Sequence, residues 1–166
     1  MAEIGLRAVR DDDLDLIYDQ MRDPVAVRMA AFTADDPDDR AAFDAHFTRI
    51  RTDPEILLFA ITVDGELAGT VASFPVGDDT EITYWLDRAR WGRGIATRAV
   101  ELLLDLVPVR PITARAASDN AGSLAVLRKA GFRPVGKEVA YATARGAEIA
   151  AVVEAAELSA KEQAEP

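Results

Sequence analysis

Residues Arg90-Trp91-Gly92-Arg93-Gly94-Ile95-Ala96-Thr97 place two glycines among the arginines Arg90, Arg93 and Arg98. Glycines at the mouth of a helix let the backbone come close to a ligand and aim several N–H groups at one point. The helix N-terminus behind them adds positive potential. This is the chemistry of an anion cradle suited to a pyrophosphate, with charge-assisted contacts from the arginines. A tight strand-to-helix turn is the plainer alternative. The P-loop pattern GxxxxGK[ST] and the dinucleotide pattern GxGxxG are both absent.

A second group follows at helical spacing: Asn120, Ser123, Leu127 and then Gly131-Phe132. Asn120 and Ser123 fall on one helix face, where an amide and a hydroxyl can hydrogen-bond a polar chain running past. The alternative is an N-cap at Asn120 and a solvated Ser123.

The elements that must position these groups follow from periodicity. Leu6–Val9 reads as a first strand. Asp11–Asp13 cap a helix running to about Met21, with Leu14, Ile17, Tyr18 and Met21 on one face. An acidic turn, Asp35–Asp39, leads into a second helix ending near Thr52. Phe43, His46, Phe47 and Ile50 form its apolar stripe, so His46 reads as a half-buried packing residue. Strands follow at Ile56–Val63, Glu66–Pro75 and Glu81–Leu86, the first two joined by the hairpin signal Asp64-Gly65. A helix spans about Ile95–Val107, a fifth strand Ile112–Ala117, and a short helix Asn120–Ala130 stopped by Gly131. Phe132–Thr143 and Glu148–Ala156 close the chain as a hairpin. The pattern predicts an α/β (α+β) fold: a mixed, mostly antiparallel seven-stranded sheet with helices on both faces. One domain over residues 1–157 and a frayed tail over 158–166 are expected.

Composition narrows the function. The chain has 166 residues, no cysteine and one histidine. Disulfides and thiolate catalysis are excluded, and a histidine-built metal site is not expected. No signal peptide and no membrane-spanning run is visible, so a cytoplasmic protein is expected, away from the membrane. A net charge of −10 argues against nucleic acid. The charge is uneven, however. Arg88–Lys137 holds ten basic residues against three acids, a local +7 that leaves −17 on the rest. Solvated helix faces explain this, and so does a half that meets a polyanion. Monomer or homodimer is left open.

Together these motifs resemble the GNAT superfamily of N-acetyltransferases. Trp91-Gly92-Arg93-Gly94-Ile95-Ala96-Thr97 is similar to the coenzyme A loop of the branch containing the ribosomal-protein N-terminal acetyltransferases. Glu81-Ile82-Thr83-Tyr84-Trp85-Leu86 resembles that branch's strand before the loop, and Asn120 through Phe132 its asparagine helix. The element order fits from about Leu6 to Glu157. The resemblance implies direct acetyl transfer from acetyl-CoA, the co-substrate, to a primary amine on a peptide or small molecule, without a metal. An alternative is a non-catalytic acyl-CoA binding module.

The resemblance also implies roles. Backbone amides from Gly92 to Thr97 hold the pyrophosphate. The fourth and fifth strands splay around the pantetheine arm, and backbone N–H groups near Tyr84, Trp85 and Leu86 polarise the thioester carbonyl. Asn120 contacts the arm, Ser123 sits near the sulfur, and Glu81 serves as general base. Three departures stand out. Thr83 replaces a frequent glycine, which bears on a local bulge. Arg115 sits where another branch keeps a glutamate. Leu127 replaces a tyrosine that protonates the leaving thiolate, so Ser118, Ser123, Tyr141 or solvent must serve. Asp35, Asp36, Asp38 and Asp39 fall in a loop that borders the acceptor pocket in the superfamily, and predict a cationic acceptor.

Overall fold

The computed structural model describes residues 2–157, so the expected tail at 158–166 lies outside the described residues. The strands are β1 (Ile4–Ala8), β2 (Leu57–Val63), β3 (Glu66–Val76), β4 (Asp79–Leu86), β5 (Ile112–Ala117), β6 (Arg133–Ala142) and β7 (Ala147–Ala156). The helices are α1 (Leu14–Met21), α2 (Pro24–Ala30), α3 (Arg40–Thr52), α4 (Ile95–Leu106) and α5 (Ala121–Lys129). The strands form one sheet in the order β1-β2-β3-β4-β5-β7-β6. Every neighbouring pair is antiparallel except β4 and β5.

Strand alternation sorts the core between the two faces. Ile61 and Val63 of β2, Val71 of β3, and Ile82 and Leu86 of β4 pack under Ala99, Val100 and Leu103 of α4. Ala60 of β2 turns the other way and meets Ile17 of α1 and Phe47 of α3. Helices α4 and α5 thus cover one face and α1 to α3 the other. The long apolar stripe of α4 makes it the central helix of its face.

Helix α2 is an element that the sequence reading did not include. Its seven residues begin with Pro24 at the first turn, where a missing N–H costs nothing. It ends at Ala31, a fully buried residue with φ 69° and ψ −53°. The Phe32 N–H donates to the Ala30 carbonyl at 2.7 Å around that turn, and the Ala144 N–H donates to the Ala31 carbonyl at 3.1 Å. Such a three-residue turn is a strained one. It is held by burial against Ala117 and Ala142.

His46 differs from its expectation. It is exposed on α3 and sits edge-on to Phe47 while Arg49 donates to its Nδ1 at 2.8 Å. The apolar face of α3 is narrower than the spacing suggested, and His46 lies at its rim.

Candidate active site between the fourth and fifth strands

The parallel pairing of β4 and β5 is brief. Only Thr80 with Ile112 and Glu81 with Thr113 are paired, and beyond Glu81 no ladder joins the two strands. The β3–β4 register, by contrast, runs unbroken from Val76–Asp79 to Gly69–Leu86. There is no bulge in β4 against β3, in keeping with Thr83 where glycine is frequent. Antiparallel pairs alternate between bonded and non-bonded. The Asp87 N–H donates to the Ala68 carbonyl at 2.9 Å, which puts the odd-numbered residues of β4 in bonded pairs with β3. The backbone N–H groups of Tyr84 and Leu86 therefore point away from β3, toward β5, past the end of the β4–β5 ladder. They open on a wedge.

Gly69, which the sequence reading passed over, fixes one wall of that wedge. A Cβ at Gly69 would lie 2.0 Å from the Trp85 carbonyl oxygen. Only glycine lets β3 approach β4 this closely. The Trp85 indole donates to the Gln20 carbonyl at 3.1 Å and pins α1 to the strand. The Trp91 indole donates to the Leu86 carbonyl at 3.0 Å and folds the loop back over the strand end.

The loop that follows is the one whose glycines suggest a cradle. Gly92 and Gly94 have φ of 75° and 77°, a region that other residues enter only at a cost. Gly94 is the N-cap of α4, and no side chain caps it. The first N–H groups of α4, on Ile95, Ala96 and Thr97, have no carbonyl within the helix to receive them. Arg93 and Arg98 are exposed beside them, and neither has an ion-pair partner among the described residues. Arg90 differs from the other two: its Nη2 lies 3.0 Å from Glu66 Oε2, so its charge is already shared.

On the far wall of the wedge stands α5. Asn120 is its N-cap, accepting from the Ser123 N–H at 3.1 Å, and its Nδ2 donates to the Met29 carbonyl of α2 at 3.3 Å. The capping alternative is the arrangement observed, with a tie to α2 that the sequence did not suggest. The Ser123 hydroxyl meets the Tyr84 hydroxyl at 2.9 Å. Burial pushes the Tyr84 phenol above its ordinary value, and the bond to Ser123 offsets part of that rise. By resemblance Tyr84 is expected to contribute its backbone N–H; the structure adds its side chain. The alternation Ile82, Tyr84, Leu86 was the signal that its ring turns toward α4 and α5. Ser118 and Tyr141 are both exposed, and Leu127 is buried in the core.

Glu81 and Thr83 belong to the opposite sheet face, the face of α1 to α3. Glu81 Oε1 lies 2.7 Å from Arg115 Nε, and Arg115 Nη1 also binds Glu138 of β6. The two carboxylates, Glu138 first and then Glu81, hold the Arg115 guanidinium proton more tightly than usual. The candidate base and the arginine that replaces another branch's glutamate are thus one ion-paired cluster.

Comparison with known proteins places this architecture. The domain model described as acetyltransferase (GNAT) matches residues 3–133. A mycothiol acetyltransferase of Clavibacter michiganensis is 31% identical over 71% of this chain and 46% of its own length. The chain therefore spans about half the length of that relative. The structure of Mycobacterium smegmatis RimJ in complex with CoA-disulfide superposes with a TM-score of 0.81 at 27% identity, covering 98% of this chain and 84% of that one. A spermidine N-acetyltransferase of Vibrio cholerae, with CoA and spermine, has a TM-score of 0.80 at 16% identity over 93% of this chain and 95% of its own, which speaks to the fold. By sequence over most of its length and by a seven-stranded sheet that parts between β4 and β5, the chain belongs to the GNAT acetyltransferase family.

Proposed function

We propose that this protein transfers the acetyl group of acetyl-CoA directly to a primary amine, with both substrates bound at once. The observation that carries the reading is the wedge. One wall offers the N–H groups of Tyr84 and Leu86, and at its mouth lie the uncapped N–H groups of α4. A developing oxyanion on the thioester carbonyl is stabilised by preorganised donors of the first kind. A pyrophosphate is held by donors of the second kind.

Backbone groups from Gly92 to Thr97 take the phosphates, and Arg93 and Arg98 add charge, more than the already paired Arg90. Trp91 keeps the loop closed on β4, and Trp85 keeps the strand on α1. Asn120 fixes the first turn of α5, so that Ser123 faces the place where sulfur leaves. Glu81 faces the acceptor side. Its carboxylate receives the amine's proton, by way of water, while Arg115 keeps it in place. The reaction belongs in the cytoplasm, where acetyl-CoA is plentiful. It needs no metal.

The ion pair between Glu81 and Arg115 favours a second reading, in which the chain binds acyl-CoA without catalysis. A carboxylate already engaged by a guanidinium is less free to hold the water that would carry the amine's proton. One experiment separates the two. Thiolate release from acetyl-CoA is followed across a panel of amines, beside calorimetry of CoA binding. The acyltransferase reading expects amine-dependent release. Binding without release under any amine supports the module.

A further inference from the structure

We infer that Tyr84 is a positioning residue for thiol release: its phenol and the Ser123 hydroxyl form one proton-donating unit that serves the departing sulfur. The inference rests on the acetyl-transfer reading and assigns the step that Leu127 leaves without a donor.

The two groups come from separate elements. Tyr84 stands on β4 and Ser123 in the first turn of α5, and their hydroxyls meet at 2.9 Å across the space where β4 and β5 have parted. The Ser123 backbone cannot drift, because its N–H is held by Asn120 at 3.1 Å. The serine hydroxyl rotor is the remaining freedom, and Tyr84 fixes it. When the phenol donates to Ser123 Oγ, the serine proton must point elsewhere, and the wedge is the open direction. Serine alone is a poor acid. A phenol is a far stronger acid than an aliphatic hydroxyl, and behind the serine it makes the pair a better donor to a thiolate. Burial raises the phenol above its ordinary value, and the bond to Ser123 offsets part of that rise. No other hydroxyl pair bridges β4 and α5 among the described residues. The remaining candidates, Ser118 and Tyr141, lie in solvent.

The amine nitrogen forms a bond to the acyl carbon, and the carbon–sulfur bond breaks with its electron pair going to sulfur. Sulfur takes the Ser123 proton, and Ser123 takes the Tyr84 proton. The phenolate is refilled, through solvent, by the proton that the amine nitrogen loses. Amine and thioester become amide and thiol, and both hydroxyls return to their starting state.

The test compares two acyl donors: acetyl-CoA and its selenoester analogue, whose selenolate leaves without needing a proton. Tyr84→Phe keeps the ring and the packing. It is expected to lower kcat with acetyl-CoA by at least about tenfold, less than the ~10²–10⁴ of a direct acid because Ser123 remains, with KM for acetyl-CoA nearly unchanged. With the selenoester the loss should shrink to within about threefold, because no proton is required. Ser123→Ala should show the same donor dependence, and the double variant should lose little more than either single one. If Tyr84→Phe slows both donors equally, or neither, in a wild-type background that is active, the pairing is structural and the inference is overturned. If the wild type releases no thiol with any amine, the acetyl-transfer reading fails and the inference falls with it.

Discussion

Arg115 carries one positive charge between two carboxylates, Glu81 and Glu138, on three different strands. The cluster is net negative by one. Removing the arginine makes it negative by two on the face where the amine is proposed to arrive. Arg115→Met should therefore lower KM for a cationic amine several-fold at low salt, and the gain should fade as salt screens the site. Glu81→Gln should act on the other parameter and lower kcat by about 10²–10⁴ if Glu81 takes the proton. Initial-rate kinetics at two salt concentrations check both. A Glu81→Gln enzyme with wild-type kcat removes Glu81 from the mechanism. The residue scale is also where the sequence was least legible. Tyr84, Gly69 and the Arg115 partners are defined by what stands across the sheet, and cross-strand neighbours are not written in one strand's spacing. Glu81 was readable as a candidate, but its arginine came from β5, 34 residues on.

At the scale of elements, the N-terminus of α4 is the clearest feature of both sequence and structure. Two glycines, a turn and an apolar stripe all agreed, and α4 begins at Ile95 in both. Gly94→Val would find open space for its side chain, with nothing within 4 Å, so the protein itself does not forbid the atoms. The cost comes from φ of 77°, about 1–2 kcal/mol for a residue with a Cβ. The larger effect falls on whatever approaches those N–H groups. A folded Gly94→Val protein should bind CoA at least about tenfold more weakly, which is about 1.4 kcal/mol. Calorimetry with a thermal melt of the same sample measures both, and unchanged affinity would remove the phosphates from this loop. Helix α2 was not legible, for a physical reason. Seven residues give too few turns for a periodic stripe, and α2 is held by two small buried residues, Ala26 and Ala31, together with its carbonyls, which Asn120 and Arg145 bind.

Over the whole molecule, the charge map is less polar than the sequence implied. Arg88, Arg90, Arg115 and Arg128 of the basic stretch are each paired with an acid from outside it, Asp23, Glu66, Glu81 with Glu138, and Glu154. What stays exposed at the cradle is Arg93 and Arg98. The acidic loop is similarly employed: Asp38 binds Arg22, Asp39 caps α3, and Asp36 accepts from the Asp38 N–H. Asp38, paired with Arg22, steers weakly, whereas the backbone bonds of Asp36 and Asp39 leave their charge in place. A basic-tailed peptide should still be preferred over an acidic-tailed one, by a margin of only a few-fold that shrinks with salt. Measuring kcat/KM for both peptides at low and high salt decides it. Equal rates at both salts would leave these aspartates as structural residues alone.

The ties around α2 have one more consequence. Arg145 in the turn between β6 and β7 donates to the Arg28 carbonyl at 2.7 Å and grips Asp119 with both Nη atoms, at 2.8 and 3.1 Å, while Asn120 reaches the Met29 carbonyl. Helix α2, the start of α5 and the closing hairpin are thus one mechanical piece, with its far end at Ser123. In the proposed reaction, a ligand that orders α5 would order this piece as a whole. Thermodynamic reciprocity then holds in both directions: any factor by which one ligand tightens the second is the factor by which the second tightens the first. The strained turn at Ala31 lies inside that piece, the point at which any coupling between the two proposed substrates would be felt.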